Sequence, residues 1–306
     1  MKGGRASLSK SQAIRCVLNA PAILSWSVLA KYNGMCYFLL EMNAQMASAR
    51  DYINDLSAAG RHHFTTGEAV AALGGSIVAV RAALRRSSRR GEIAAPYRGF
   101  FVIVPPEYRR LRCLPPEQFI PHLMKHLGVQ YYVALLSAAE LHGAAHQRPQ
   151  RFQVMVPKNR RPIECGEVRI QFVARHDLER TPVVEMNTPR GRMRVSSPEA
   201  TAVELVGYAD QCGGLDNVAS VLSELVESLN APRLLNAARL CPVVWSQRLG
   251  YLLEMTKHAE LASVLADHVR TQGATLAPLV RARPMTGAPR AERWKLAVNA
   301  SVEPDL

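Results

Sequence analysis

Five arginines lie within residues 81–90, and they are the residues of this chain best suited to chemistry with a ligand. Guanidinium groups stay charged and can give two donors to one phosphate, so such a cluster suits a polyanion. Arg81, Arg85 and Arg89 recur every four residues, which places them along one side of a helix. An apolar stripe at i, i+3 and i+7 lies beside them: Ile77, Val80 and Leu84. Charge runs are more often solvated surface, so the interpretation depends on the neighbouring elements.

The residues before this segment predict two further helices. Tyr52, Ile53 and Leu56 form the apolar face of a helix over Ala49 to Ala59, which Gly60 ends. Thr65 or Thr66 is a natural N-cap of the next helix, with Glu68 placed for a capping box against Thr65. A tight turn at Gly74-Gly75 then leads to the arginine helix, which Ser76 can cap. This order predicts a helix-turn-helix.

The residues after Gly91 are extended and predict a hairpin. Two β-rich runs, 92–95 and 100–104, flank a four-residue tip, Pro96-Tyr97-Arg98-Gly99, and Pro105-Pro106 ends the second run. Helix-turn-helix plus hairpin predicts a winged helix-turn-helix, whose second helix enters the major groove. The alternative is a winged module that binds protein. The predicted DNA contacts near base edges are Ser76, Val78, Ala79 and Arg81, and Thr66 is a further predicted contact. The predicted phosphate contacts are Arg85, Arg86, Arg89 and Arg90. Arg98, at the wing tip, is suited to a minor groove.

Three patterns that could support catalysis or metal binding are each incomplete. His122 and His126, like His142 and His146, are four residues apart, but neither pair has a further ligand at suitable spacing. Gly74-Gly75-Ser76 is followed by no acid up to residue 91, unlike the magnesium site of a nucleotidyltransferase. Four acids near predicted strands lack the lysine that a metal-dependent nuclease needs: Glu164, Glu167, Asp177 and Glu179. We therefore predict no catalytic residue, metal or cofactor, and keep a metal-dependent nucleic-acid-processing enzyme as the alternative.

The C-terminal part predicts a mixed α+β fold. Helical segments are expected at 118–127 and 134–141, and strands at 151–156 and 167–173. Apolar residues at helical spacing follow over 218–229 and 249–265, and alternation from Trp294 to Val302 predicts a late strand. Arg190, Arg192 and Arg194 are spaced by two and would share one face of a strand. A second basic DNA-contacting surface, or ordinary solvated surface, is predicted from Arg148, Arg151, Lys158, Arg160, Arg161, Arg190, Arg192 and Arg194.

Composition favours a nucleic-acid partner. The 306 residues carry a net charge of +13 with a pI of about 9.8. Residues 46–114 hold eleven Lys or Arg against five acids, whereas 115–230 hold twelve against thirteen. Six scattered cysteines without a C-x-x-C pair suit a reducing cytosol, and no apolar run of transmembrane length occurs. We predict a cytoplasmic protein whose first 45 residues are an extension, with translation starting at Met42 or Met46.

Several segments, taken in order, resemble the AbiEi antitoxin family of type IV toxin–antitoxin systems. They are Tyr131–Gly143, Gln147–Val156, Thr188–Gly191, Val195–Thr201, Cys212–Leu215, Arg248–Glu254 and Trp294–Asn299. The resemblance implies a DNA-binding repressor of its own operon. It also implies a C-terminal domain that counteracts a nucleotidyltransferase-like toxin without a stable complex, and it transfers no catalytic residue.

The sequence thus predicts an α+β protein with an N-terminal winged helix-turn-helix and a larger mixed α+β C-terminal domain. The expected divisions are an extension over 1–45, the DNA-binding domain over 46–113 and the antitoxin domain over 114–306. The expected partners are the double-stranded DNA of its own promoter, read as inverted repeats, and a toxin. A monomer or weak dimer without a membrane partner is expected. A stand-alone winged-helix regulator without a toxin is a further alternative.

Overall fold

The computed structural model describes residues 48–144 and 149–303, and their arrangement is mixed α+β, as predicted. Some of the predictions lie outside the described residues. They concern the expected extension over 1–45, the two candidate start methionines, Arg148 and His146. Within the described ranges no single helix is long and apolar enough to cross a membrane. The pair Thr66–Leu73 and Ile77–Arg89 meets those limits only jointly, with a bend of 109° between the two helices.

The N-terminal unit contains three helices and a small antiparallel sheet. Its elements are α1 (Ala49–Ala58), β1 (His63–Thr65), α2 (Thr66–Leu73), α3 (Ile77–Arg89), β2 (Ile93–Tyr97) and β3 (Phe100–Ile103). Each helix has the cap that its sequence favours. Thr65 and Glu68 form the predicted capping box of α2, and the Ser76 hydroxyl accepts from Ala79 N–H at the start of α3. Gly74 and Gly75, with φ of 66° and 74°, make the turn between α2 and α3.

The hairpin of the N-terminal unit differs from the prediction in two respects. Its tip has two residues, Arg98 and Gly99, because Tyr97 still pairs with Phe100 and a register shift between Ala94 and Tyr97 takes up the proline. The three-residue strand β1 joins the other edge of β3 and was not predicted, since a strand that short has no periodicity to read. Thr66 N–H donates to the Gly99 carbonyl at 2.9 Å and thereby holds the hairpin tip against the start of α2.

A six-stranded mixed sheet follows the N-terminal unit. Two one-turn 3-10 helices (Pro106–Tyr108 and Pro116–Gln118) lead to α4 (Ile120–Leu127), β4 (Tyr132–Val133), α5 (Leu135–Leu141), β5 (Phe152–Val156), β6 (Ile163–Cys165), β7 (Val168–Ala174), a 3-10 turn (Leu178–Arg180), β8 (Val183–Thr188) and β9 (Gly191–Ser196). The strand order is β6-β7-β5-β4-β9-β8. The predicted helices and strands of this region are present to within a few residues, and β4, β6 and the β8–β9 hairpin are additional.

Five α-helices and a small sheet occupy the described residues from 198 to 303. They are α6 (Pro198–Gly207), α7 (Leu215–Leu225), α8 (Ala231–Arg239), α9 (Val243–Met255), α10 (Ala259–Thr271), β10 (Ala277–Pro278), β11 (Arg290–Ala291) and β12 (Leu296–Ala297). The predicted strand from Trp294 to Val302 is wrong, because only Leu296 and Ala297 pair. Trp294 instead lies in a 3-10 turn with its ring against Gly250, and its carbonyl accepts from the Gln247 amide at 2.9 Å.

Strand β3 divides its side chains between two hydrophobic cores. Phe101 and Ile103 pack with the N-terminal helices. Phe100, Val102 and the following Val104 face the opposite way and pack with α4 and the six-stranded sheet. The three-stranded sheet is therefore covered on both faces, and one strand joins the N-terminal unit to the rest of the protein.

Candidate nucleic-acid interface

Helix α3 is anchored to the N-terminal core by Val80, Leu84 and Ser87, which are buried. The predicted stripe is correct for the valine and the leucine but wrong for Ile77, which is 45% exposed. The isoleucine lies in the first turn, where the helix extends beyond the core, and the small Ser87 takes the third position. Burial at i, i+4 and i+7 leaves the opposite face of α3 to solvent.

The solvent face of α3 carries the arginines. At about 100° per residue, Val78, Arg85 and Arg89 lie opposite the buried stripe, and Arg81 and Arg86 flank them. All four arginines are exposed, and within the described part of the chain none forms an ion pair or hydrogen bond. Val78 is 72% exposed and lies among these arginines. This face therefore offers four uncompensated positive charges around a small apolar centre.

The remaining predicted positions border the α3 face. Ser76 and Ala79 are exposed in the first turn, and Arg98 is exposed at the hairpin tip. Thr66 is half-buried at the start of α2. Tyr97, 40% exposed beside Arg98, is an exposed aromatic side chain that sequence reasoning did not single out.

Arg90 differs from the other arginines of the cluster because it already has a partner. Its guanidinium donates to Glu92 at 2.8 Å and to the Ser87 hydroxyl at 2.8 Å. The hydrogen bond from Arg90 is the main cause that lowers the pKa of Glu92, and Arg50 adds a second positive charge at 3.4 Å. Glu92 thus compensates the positive charge at the C-terminal end of α3, whereas the positive charges on the solvent face of α3 have no acidic partner among the described residues.

The second basic set does not form one surface. Arg151 and Lys158 lie at opposite ends of β5, roughly 20 Å apart along an extended chain. Arg160 and Arg161 precede β6, at the edge of the sheet, four strands away from β9 and its Arg192. That separation is roughly 19 Å at about 4.8 Å per strand.

The three arginines spaced by two do not line one face as predicted. Arg192 and Arg194 lie on β9, and Arg192 forms an exposed ion pair with Glu185 at 3.3 Å. Arg190 lies in the turn before the strand, where its carbonyl accepts from His122 Nε2 at 3.2 Å. Its side chain is half-buried, and this burial lowers its pKa. The turn therefore directs Arg190 toward the N-terminal unit.

Three of the histidines considered as metal ligands lie within the described residues, and each makes a ring or hydrogen-bond contact. His122 stacks on His63 with ring centroids 4.0 Å apart, and His126 packs on Phe100. Burial, with the nearby His122 as the next cause, lowers the pKa of His63 to about 4. His142 donates to the Ser196 carbonyl at 2.7 Å. Across residues 48–144 and 149–303 no group of three or more His, Cys, Asp or Glu side chains could hold a metal.

The four acids considered for a nuclease are divided between two ends of one strand. Glu164 and Glu167 lie at the β6–β7 hairpin, and Asp177 and Glu179 follow β7. The seven residues of β7 separate the two pairs by roughly 23 Å. Metal ions in two-metal sites lie about 4 Å apart, so these acids do not converge on one centre.

A buried ionic network in the C-terminal part was missed by sequence reasoning. Glu204, on α6, is 1% exposed and accepts from Arg175 Nη1 at 2.8 Å and from the Tyr132 hydroxyl at 2.5 Å. Burial raises the pKa of Glu204 to about 7, although Arg175 opposes this shift. Arg175 also lies over the Trp245 ring at 5.7 Å. The network links the sheet to the helices, and the only sequence signal for it was an acid within an apolar helix.

Comparison with known proteins gives a family match in the C-terminal part. Residues 132–255, from β4 to the end of α9, match the AbiEi antitoxin C-terminal domain family, which confirms the resemblance noted from sequence. None of the curated proteins compared with the chain matches it. The crystal structure of the protein RV2827C from Mycobacterium tuberculosis superposes with a TM-score of 0.60 at 18% identity, over 82% of this chain and 91% of that one, and so shows a common fold. An antigenic nucleotidyltransferase-like protein from Paracoccidioides brasiliensis matches with a TM-score of 0.32 at 14% identity, over 49% and 89%.

Proposed function

We propose, on the premise that residues 132–255 are an AbiEi antitoxin C-terminal domain, that this chain is the DNA-binding antitoxin of a type IV toxin–antitoxin operon. Its N-terminal unit is a winged helix-turn-helix that represses the operon by binding inverted repeats in its own promoter. Its C-terminal part counteracts a nucleotidyltransferase-like toxin without forming a stable complex. The chain has no catalytic activity of its own in this proposal, and it acts as a monomer or weak dimer.

The order and angle of the N-terminal elements support the winged helix-turn-helix. Helices α2 and α3 meet at 109° across a two-glycine turn, within the range of helix-turn-helix pairs. The β2–β3 hairpin follows at once, and its tip is hydrogen-bonded to the start of α2. The helix, turn and wing are thus held as one unit that can approach a duplex together.

The uncompensated solvent face of α3 is the single observation that carries the proposal. Arg81, Arg85 and Arg89 repel one another at a spacing of four residues, by about 0.2–0.5 kcal/mol per pair, and a polyanion bound to this face would relieve that repulsion. With α3 in the major groove, Ser76, Val78, Ala79 and Arg81 are placed near base edges at its N-terminal end. Arg85, Arg86 and Arg89 then meet phosphates, which position the protein but do not read sequence. Arg98 enters the adjacent minor groove, and Arg90 can contact phosphate only in competition with Glu92.

DNA binding is tested by fluorescence anisotropy of the full chain with a labelled fragment from upstream of its own gene and with a scrambled fragment. We expect selective binding whose affinity falls steeply with salt, because each neutralised phosphate releases counterions. Arg81→Ala should reduce the preference for the operator by about 1–3 kcal/mol, whereas Arg89→Ala should weaken binding to both DNAs alike. Arg233→Ala, an exposed arginine on α8, removes the same charge elsewhere and is the matched control. Equal binding of the wild type to both fragments would refute operator recognition.

Two further experiments separate this function from the alternatives. Incubation of the labelled fragment with Mg²⁺ or Mn²⁺ should leave it intact, whereas a nuclease would degrade it. Co-expression with the neighbouring nucleotidyltransferase-like gene, where one is present, should restore growth that the toxin alone arrests. Failure to restore growth, together with intact operator binding, would leave a stand-alone regulator.

A further inference from the structure

Two cysteines that are 52 positions apart in sequence lie opposite each other beneath the hairpin. Cys113 belongs to the segment between β3 and α4, and Cys165 is the last residue of β6. Glu167 N–H donates to the Leu111 carbonyl at 3.0 Å. A Cβ added to Gly166 would lie 2.7 Å from the Cβ of Arg112. These two contacts place residues 111–112 beside 166–167, and Cys113 and Cys165 are the next residues of the two segments.

The two cysteine side chains lie close to each other. The two thiols are hydrogen-bonded to each other, so their sulfur atoms are neighbours. Both side chains belong to the same hydrophobic core, in which Cys113 is buried and Cys165 packs at its margin. A disulfide needs this proximity, because it spans Cα separations of only about 4.4–6.8 Å.

The two thiols have different surroundings, which assigns them different roles. Cys165 is partly accessible, and its pKa is lowered by the hydrogen bond from the Cys113 thiol. Cys113 is fully buried, and the same bond together with burial raises its pKa. A partly accessible thiolate beside a resolving thiol is the arrangement of peroxide-sensing cysteines. The two other free cysteines of the described ranges, Cys212 and Cys241, have raised pKa values because they are buried.

We propose that Cys113 and Cys165 are a peroxide-sensitive dithiol, with Cys165 as the attacking and Cys113 as the resolving residue. The Cys165 thiolate attacks one oxygen of hydrogen peroxide, the O–O bond breaks, and the departing hydroxide takes a proton to become water. The Cys113 sulfur then attacks the Cys165 sulfenic acid, the S–O bond breaks, and the hydroxyl leaves as water with the Cys113 proton. Peroxide gains two electrons, and the two thiols become one disulfide.

The disulfide would lie at the junction of the two sheets. Ala95, on β2, donates its backbone N–H to the Cys165 sulfur, so the thiolate is supported from the hairpin as well as from Cys113. Oxidation replaces the Cys113 hydrogen bond with a covalent link between the connecting segment and β6. The link is local to this junction and does not depend on the proposed function.

The proposal is tested on the full-length reduced protein by a hydrogen peroxide titration, followed by alkylation and tryptic mapping of every cysteine. We expect a Cys113–Cys165 peptide, two hydrogens lighter than its reduced components, to form at least tenfold faster than Cys212 or Cys241 is oxidised. In Cys113→Ser, dimedone should trap Cys165 as the sulfenic acid. Cys165→Ser should form no link, and Cys241→Ser, the matched control, should form it at the wild-type rate.

Two outcomes would overturn the proposal. One is oxidation of Cys165 to the sulfinic acid in the wild type without any link to Cys113. The other is oxidation of all mapped cysteines at similar rates. If Cys113→Ser is unstable, Cys113→Ala gives the same dimedone readout with a residue suited to an apolar site.

Discussion

Replacement of Arg175 by methionine should destabilise the protein in a strongly pH-dependent way. Arg175 is 9% exposed and pairs with Glu204, which is 1% exposed, at 2.8 Å. Methionine keeps most of the apolar volume but removes the charge, so a buried carboxylate is left without its counter-ion. Breaking a buried pair in this way costs about 3–5 kcal/mol. We expect a loss near the lower end of this range at pH 8, where Glu204 must remain ionised or take up a proton against the bulk pH.

The pH dependence follows from the pKa of Glu204. In the wild type this pKa already lies at about 7, above its ordinary value of 4.5, because burial disfavours the charged form. Without Arg175 the pKa rises further, so the folded variant is neutral at pH 5. A folded-state pKa above the unfolded one means that stability decreases as the pH rises through that window, by about 1.4 kcal/mol per unit. The wild type shows this decrease up to about pH 7 and the variant continues beyond it, so the variant's additional loss between pH 5 and pH 8 is about 1.4 kcal/mol. At pH 5 only the lost hydrogen bond remains, about 1–2 kcal/mol.

The assay is urea unfolding at pH 5 and pH 8, followed by tryptophan fluorescence. Trp245 and Trp294 both lie in the helical region that contains the pair, and a Trp26→Phe background removes the remaining tryptophan. Glu204→Gln in the methionine variant should recover most of the pH 8 loss, since no charge is then buried. Equal losses at both pH values, with an additive double variant, would refute the reasoning.

Three further predictions concern packing, capping and titration. Gly250→Ala places a Cβ in steric conflict with the Trp294 ring, so we expect a loss of about 1–3 kcal/mol and a lower Tm by calorimetry; an unchanged Tm would contradict this contact. Ser76→Ala removes the acceptor of Ala79 N–H at 3.2 Å and should cost about 1 kcal/mol in urea unfolding, whereas Ser76→Asp should be nearly neutral. The pKa of His63 lies at about 4 instead of 6.5, so stability should fall as the pH drops from 6.5 toward 4, and His63→Phe should flatten that part of the curve.

Local signals in the sequence were sufficient for the N-terminal helices. The side chains of Thr65 and Glu68 fix the start of α2 through hydrogen bonds within four residues of sequence. Ser76 does the same for α3. Strand β1 and the two-residue hairpin tip could not be read in this way. The first exists because β3 offers a free edge, and the second depends on where a register shift absorbs Pro96.

Contacts between distant residues explain the other differences. Trp294 to Val302 alternates like a strand, but Gly250 on α9 provides the space that holds the Trp294 ring in a turn. The Arg175–Glu204 pair joins positions 29 residues apart on different layers, and no local pattern encodes it. The sequence predicts one basic surface in the C-terminal part, whereas the order of the strands separates its residues. The pairing of strands decides which distant residues lie close together, and a single sequence does not specify that pairing.

The division of β3 between two cores limits how this protein can change its specificity during evolution. Phe100 and Val102 are fully buried against the second core, so the N-terminal unit is not a cassette that recombination could exchange with that of a relative. A foreign unit would have to bring a strand whose alternate side chains match a core formed elsewhere in the chain. Substitutions on the solvent face of α3 meet no such requirement, because that face contacts neither core. New sequence preferences should therefore arise by point changes on α3 while the hairpin behind it stays constant.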